Sequence, residues 1–149
     1  MVMKVAPSCA LAALLALGGC AAASVKDLKA DPAATIQFDS QLNYQRLYKN
    51  LLAKFNECVG SSTFILSNAR VEHALYSDLH EADISYVMDN MNHNVYYHAD
   101  IVGNKETSHV TAYIYFGAWK RVLDKTQAWA EDETSTCNGS AETPAKSSS

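Results

Sequence analysis

The side chains best suited to chemistry crowd into residues 62–102. That stretch holds one base, Arg70, against six acids: Glu72, Asp78, Glu81, Asp83, Asp89 and Asp100. It also holds His73, His80, His93 and His98, with His109 just beyond. Neutral imidazole nitrogen and carboxylate oxygen both ligate zinc or copper. His98 and Asp100 lie two residues apart in an alternating run, so both fall on one strand face and could reach one ion. His80-Glu81 is the other close pair. The competing reading is structural. His73 shares parity with Val71 and Leu75, as a hydrogen-bonded histidine in a half-buried strand would, and His80 and His93 fall in predicted turns. Metal binding is therefore the alternative function, and no cofactor is assigned.

Strand parity singles out a second set. If the Val, Ile and Phe positions face a core, the other face carries Tyr76, Tyr96, Tyr113 and Tyr115, with Glu72, Asp83, His98 and Asp100. Tyrosine joins a large apolar ring to a polar tip and is enriched at interfaces. Such a face suits a protein, peptide or glycan partner. The bland alternative is that tyrosine favours strands and supports cross-strand pairs by about 0.2–1 kcal/mol. Catalytic motifs are missing: there is no Gly-x-Ser-x-Gly elbow, phosphate-cradling glycine loop, His-Glu-x-x-His helix or zinc-finger spacing. Ser, His and Asp are present, but a triad is a matter of geometry. An enzyme is the third class, with no nucleophile or base to name.

The elements that position these residues follow from periodicity. Tyr44, Leu47, Tyr48, Leu51, Phe55 and Cys58 recur at helical spacing, with Asp39 or Ser40 as cap and Gly60 past the end. Thr63–Leu66 is a short β-rich run. Period-two alternation then marks strands around Val71–Leu75, Ala82–Met88, Val95–Ile101 and Val110–Phe116, joined by turn-like linkers at 89–92 and 103–106. Short linkers favour antiparallel pairing. Trp119, Val122, Leu123, Thr126 and Trp129 form the stripe of a second helix. The predicted fold class is α+β: a two-layer sandwich with an N-terminal helix, an antiparallel sheet of three to five strands, and a C-terminal helix on the same face. The basic residues Arg46, Lys49, Lys54, Lys120, Arg121 and Lys125 fall off the stripes. They are interspersed with polar residues, as on a solvated face, although contact with anionic lipid or glycan is the other option.

The chain has 149 residues, a pI near 5.7 and a formal charge of −4, which argues against general nucleic-acid binding. Lys4 forms a short positive region, and Cys9–Leu17 an apolar one too short to span a bilayer. Then comes Leu17-Gly18-Gly19-Cys20, which resembles the lipobox of bacterial lipoproteins. The resemblance covers about the first 20 residues. It implies a signal peptide over 1–19, cleavage before Cys20, and acylation of the Cys20 thiol and usually of the new amine, palmitate among the chains. An ordinary secretory signal with an incidental cysteine is the plainer alternative. Two or three acyl chains anchor stably where one does not. Position 21 is Ala rather than Asp, which in Gram-negative lipoproteins implies sorting to the outer membrane, facing the periplasm. The expected partners are the membrane, through the anchor, and an envelope protein or glycan; nucleic acid is not among them.

Export then bears on the remaining thiols. Cys9 leaves with the signal and Cys20 carries lipid, so Cys58 and Cys137 form an even pair in an oxidising compartment and read as a disulfide. A closed loop of about 80 residues is worth roughly 4.5 kcal/mol by chain entropy. A redox pair or metal thiolates would be the functional alternative, but no Cys-x-x-Cys is present. Residues 20–34 read as the lipidated cysteine and a tether, 35–137 as the globular domain and 138–149 as a disordered tail. The plan is similar to that of small lipoproteins of proteobacteria in layout alone. The expected function is a lipid-anchored envelope protein that acts as a non-enzymatic binding or accessory module, such as an assembly factor or inhibitor.

Overall fold

The computed structural model describes residues 22–60, 68–89 and 91–137. The leader, Cys20, the run Thr63–Leu66 and the tail 138–149 lie outside them. The elements run α1 (Val25–Ala30), β1 (Ala34–Ser40), α2 (Tyr44–Phe55), β2 (Ala69–Tyr76), β3 (Glu81–Asp89), β4 (His93–Gly103), β5 (Ser108–Ile114) and α3 (Lys120–Glu131). A π-helical turn, Asn56–Gly60, prolongs α2, and a 3₁₀ turn, Gly117–Trp119, precedes α3. The fold is the expected α+β sandwich. Five antiparallel strands lie in the order β1-β5-β4-β3-β2, and α2 and α3 pack together on one sheet face. Among the described residues, no helix is long and apolar enough to cross a membrane.

Register assigns each residue to a face. The rows Leu75, Ala82, Ile101, Val110, Phe38 and His73, Ile84, Ala99, Ala112, Ile36 point at the helices, followed by Val71, Tyr86, Tyr97, Ile114, Ala34. These meet Leu47, Leu51 and Phe55 of α2 and Leu123 and Trp129 of α3 in the main core. Tyr97 is fully buried, its ring tilted against that of Phe55 with centroids 4.4 Å apart, and its hydroxyl pairs with Thr126 Oγ1 at 3.1 Å. Burial pushes this phenol far above its ordinary value, so it stays neutral. Asn50 Nδ2 donates to the Ala130 carbonyl at 3.0 Å, tying α2 to α3. Cys58 and Cys137 are bonded, with Cα atoms 5.2 Å apart, which staples the end of α2 to the segment after α3.

The structure corrects the expected layout in three places. The first strand is β1, not a run after the first long helix. Ala34, Ile36 and Phe38 alternate with Thr35, Gln37 and Asp39, but the stretch is short and follows the mostly polar residues 24–32. With Asp39 and Ser40 held in β1, the cap of α2 is Asn43, whose Oδ1 accepts from Arg46 N at 2.8 Å. The largest correction concerns residues 22–34, which are folded rather than a tether. Ser24 caps α1 by accepting from Asp27 N, and Leu28 is fully buried with Ala22, Val87 and Val95 on the sheet face away from α2 and α3. Six residues cannot hold a helix alone in water, so tertiary burial of Leu28 must do it.

Turn chemistry matches expectation. His80 takes a left-handed conformation, φ 56°, in the β2–β3 turn. In the β4–β5 turn Asn104 Oδ1 accepts from the amides of Glu106 and Thr107. A Cβ on Gly103 would meet Thr107 O at 2.6 Å, so only glycine fits there.

If Leu28 docks the N-terminal segment, Leu28→Ala should cost about 2 kcal/mol or more in urea unfolding, whereas Lys26→Ala on the exposed side should change stability by less than about 0.5 kcal/mol. A Leu28→Ala protein as stable as the parent would contradict the packing.

Candidate functional site

On the face away from α2 and α3, register stacks four rows. From one end they are Tyr76, Glu81, Val102, His109, Asp39; then Ala74, Asp83, Asp100, Thr111, Gln37; then Glu72, Ser85, His98, Tyr113, Thr35; and last Arg70, Val87, Val95. α1 lies over the last two. The pairing of β3 with β4 shifts between Tyr86 and Val87, so Tyr96 is the extra residue of a bulge. The shift turns Val95 to this face, beneath Leu28, and frees Tyr96 from it.

The histidine-rich stretch resolves into separate pairs. His73 Nδ1 meets Tyr48 Oη at 2.7 Å, His93 Nδ1 meets Asp89 Oδ1 at 2.8 Å, and His109 Nδ1 meets Asp39 Oδ1 at 2.8 Å. The ring of His80 packs edge-on to Tyr44. Arg70 bridges Glu72 and Asp89. Four of the five histidines therefore sit with local partners at different places on the domain.

His98 differs. It is buried, and both ring nitrogens are engaged: Nδ1 with Ser85 Oγ at 2.7 Å and Nε2 with Asp100 Oδ1 at 3.0 Å. Lys29 Nζ lies 2.8 Å from Asp100 Oδ1 and 2.7 Å from Oδ2. The ring of Tyr113 stacks on His98, and Lys29 Nζ lies 5.8 Å from the Tyr113 centroid. The line Ser85–His98–Asp100–Lys29 thus runs from mid-sheet to α1. In the neutral ring, Nε2–H donates to the carboxylate and Nδ1 accepts the serine proton.

Burial pushes Asp100 up, but the hydrogen bonds from His98 and Lys29 and their charges outweigh it and hold the carboxyl below its usual range. Its cross-strand neighbour Asp83 moves the other way. Burial is the largest cause and raises it; His98 and Lys29 oppose that, while the charge of Asp100 adds to it.

His98 and Asp100, the candidate metal pair, are brought together as expected. The position a cation would take beside Asp100 is filled by the ammonium group of Lys29, and His98 has no ring nitrogen left over. Among the described residues, three metal-type donors also converge at Glu57, Cys58 and Cys137, but both sulfurs are joined in the disulfide and offer no thiolate.

Ser85, His98 and Asp100 share the order of groups in a nucleophilic triad, with the ring nitrogens exchanged: hydroxyl on Nδ1, carboxylate on Nε2. Attack requires an acyl carbon within reach of the hydroxyl and donors aimed at the oxyanion. Ser85 is buried in mid-strand beneath α1. The arrangement ties three strand and helix elements together electrostatically.

The four tyrosines do not form one surface. Tyr113 and Tyr115 pack against the Leu28 cluster, and Tyr96 joins Tyr115, Phe116 and Trp119 in an aromatic group at one end of the sheet. The expected uncovered face is covered over half its length, because the presumed tether folds onto it. Tyr76 remains open, 45% exposed, in the row with Glu81 and Val102, itself 46% exposed. Next to this row lies a recess of about 380 Å³ lined by Asp39, Ser40, Val102, Asn104 and His109, among others. A smaller one of about 50 Å³ lies between Tyr76, Asp83 and Val102. Lys29 and Ser85 were not legible as site residues. The Ser24-x-x-Asp27 capping spacing was the available signal for α1, and hence for Lys29.

No protein-family model matches this chain, and no curated protein matches it. A solved structure described as a TBP-like protein from Parabacteroides distasonis ATCC 8503 aligns at a TM-score of 0.30 and 13% identity, over 53% of each chain.

The opposite shifts of the two aspartates have opposite linkage. Asp100, depressed when folded, contributes stability above its unfolded value, about pH 4, that is lost as pH falls through the folded value. Asp83, raised when folded, contributes stability below its unfolded value that is lost as pH rises through the folded one. At pH 7, Asp83→Asn should raise the urea midpoint and Asp100→Asn should lower it. The Asp83→Asn gain should vanish near pH 3. Equal midpoints for the two variants at pH 7 would contradict the assignment.

Proposed function

We propose that this protein is a lipid-anchored component of the bacterial cell envelope that acts as a non-enzymatic binding module. In this reading Cys20 carries the acyl chains, the domain stands on the periplasmic side of the outer membrane of a Gram-negative cell, and a protein partner docks on the open end of the outer sheet face. The lipobox Leu17-Gly18-Gly19-Cys20 supports the anchor, and the alanine at position 21 supports the outer-membrane sorting. A disulfide between Cys58 and Cys137 accords with maturation outside the cytosol.

The observation that carries the binding role is the strip Tyr76, Glu81, Val102. It is exposed, it mixes apolar and acidic groups, and it adjoins the recess beside His109 and Asp39. Asp83, Glu81 and Asp39 give it negative character, which suits a partner segment that combines apolar and basic side chains. Tyr76 and Val102 supply the apolar area that such a contact desolvates.

A photo-crosslinking residue placed at Tyr76 or Val102 of the full-length protein in native envelopes should give a discrete protein adduct, and the same residue at Lys49 on the exposed side of α2 should not. Adducts that are missing from both strip positions, or identical from Lys49, would refute the reading.

A further inference from the structure

The two ends of the sheet differ in chemistry, and the chain enters at one of them. Ala22 is fixed there: its carbonyl accepts from Val95 N at 2.8 Å, at the start of β4. Cys20 is two residues earlier in the sequence, and two residues of chain span at most about 7 Å. Around this point the sheet end is aromatic. Tyr115 N donates to the carbonyl of Tyr96 at 3.0 Å, and the rings of Tyr96, Tyr115 and Phe116 meet edge to face at centroid distances of 5.8–6.0 Å. Trp119 completes the group, 5.9 Å from Tyr96. Among the described residues, two large apolar side chains at this end project into solvent: Phe116 is 40% exposed, and Met91, in the β3–β4 turn, is 93% exposed. Asp89, the acid at this end of β3, is engaged by Arg70 and His93.

The other end, where β4 runs into Gly103, carries Asp39, Asp78, Glu81 and Glu106. Along the 11 residues of β4 the two ends are separated by about 35 Å. An aromatic end beside the anchoring point and an acidic end remote from it is the polarity expected of a domain that rests on a bilayer. Tryptophan and tyrosine prefer the headgroup level, and carboxylates are repelled by anionic lipid.

We propose that Tyr96, Tyr115, Phe116 and Trp119, with Met91, form a lipid-contacting surface that seats the domain directly on the bilayer next to Cys20. This rests on the anchoring of Cys20 proposed above. The domain then has no tether to swing on, because Ala22 is already part of the fold. Phe116 and Met91 enter the acyl boundary, the indole of Trp119 and the phenols sit among headgroups, and the strip at Tyr76 and Val102 is held away from the membrane.

The full-length lipidated protein, purified from its native host, tests this in phosphatidylethanolamine–phosphatidylglycerol vesicles with plain or brominated acyl chains. Intact mass first establishes whether acyl chains are present. The chain has two tryptophans, and Trp129 is buried in the main core as an internal reference. Brominated lipid should remove the Trp119 share of the emission, up to about half, one indole of two. Trp119→Phe should abolish that sensitivity. Phe116→Ser combined with Met91→Ser should reduce it at least about twofold while flotation with the vesicles is unchanged. Acylated protein that floats with vesicles but emits equally in plain and brominated lipid would overturn the seating. Protein without acyl chains would overturn the anchoring reading, and this proposal with it.

Discussion

The seating of Leu28 against Val87 and Val95 is the contact on which the rest of the outer face depends. Full burial of one leucine is worth about 1.5–3 kcal/mol, a large share of what can hold a six-residue helix in place. Once α1 is docked, Lys29 is delivered to Asp100, and Ser85 and His98 lie buried behind that ion pair. Without it a hydroxyl, an imidazole and two neighbouring carboxylates would face solvent in the middle of a sheet. The same contact fixes Ala22 at the start of β4, at the aromatic end of the sheet.

This explains why a constellation that resembles a catalytic or metal site serves as a fastening. A buried histidine needs partners for both nitrogens, and a half-buried carboxylate needs a countercharge. Ser85 and Asp100 satisfy the first demand and Lys29 the second. The cation is covalently part of the chain, so no external ion is required. Asp83, next to Asp100 across the strands, carries the residual cost: burial raises it most, and the charge of Asp100 adds to that.

Much of the helix-facing layer was legible in the sequence. The stripe from Tyr44 to Cys58 and the alternations around Ile84, Tyr97 and Val110 have the periods of a helix and of half-buried strands, and each is where the pattern places it. Proximity of His98 and Asp100 was legible too, since positions two apart on a strand must share a face. Three things were hidden. The extra residue at Tyr96 shifts the alternation by one along the rest of β4, so a regular pattern misplaces Tyr96 and conceals that Val95 faces α1. β1 and α1 are short segments within a mostly polar stretch, and α1 has one strongly buried side chain, Leu28, which yields no period. Lys29 follows from α1 and could not be named without it. A composition that reads as a spacer can fold when it has a cap, one leucine and a sheet face to cover.

Amide hydrogen exchange at Val95 tests the central claim most directly, because its N–H donates to the carbonyl of Ala22. If residues 22–30 are an integral part of the domain, Val95 should exchange as slowly as amides in the middle of β4, in step with global unfolding. Exchange at the rate of an open amide, with β4 otherwise protected, would mean that the segment lies free and that the outer face is open along its whole length.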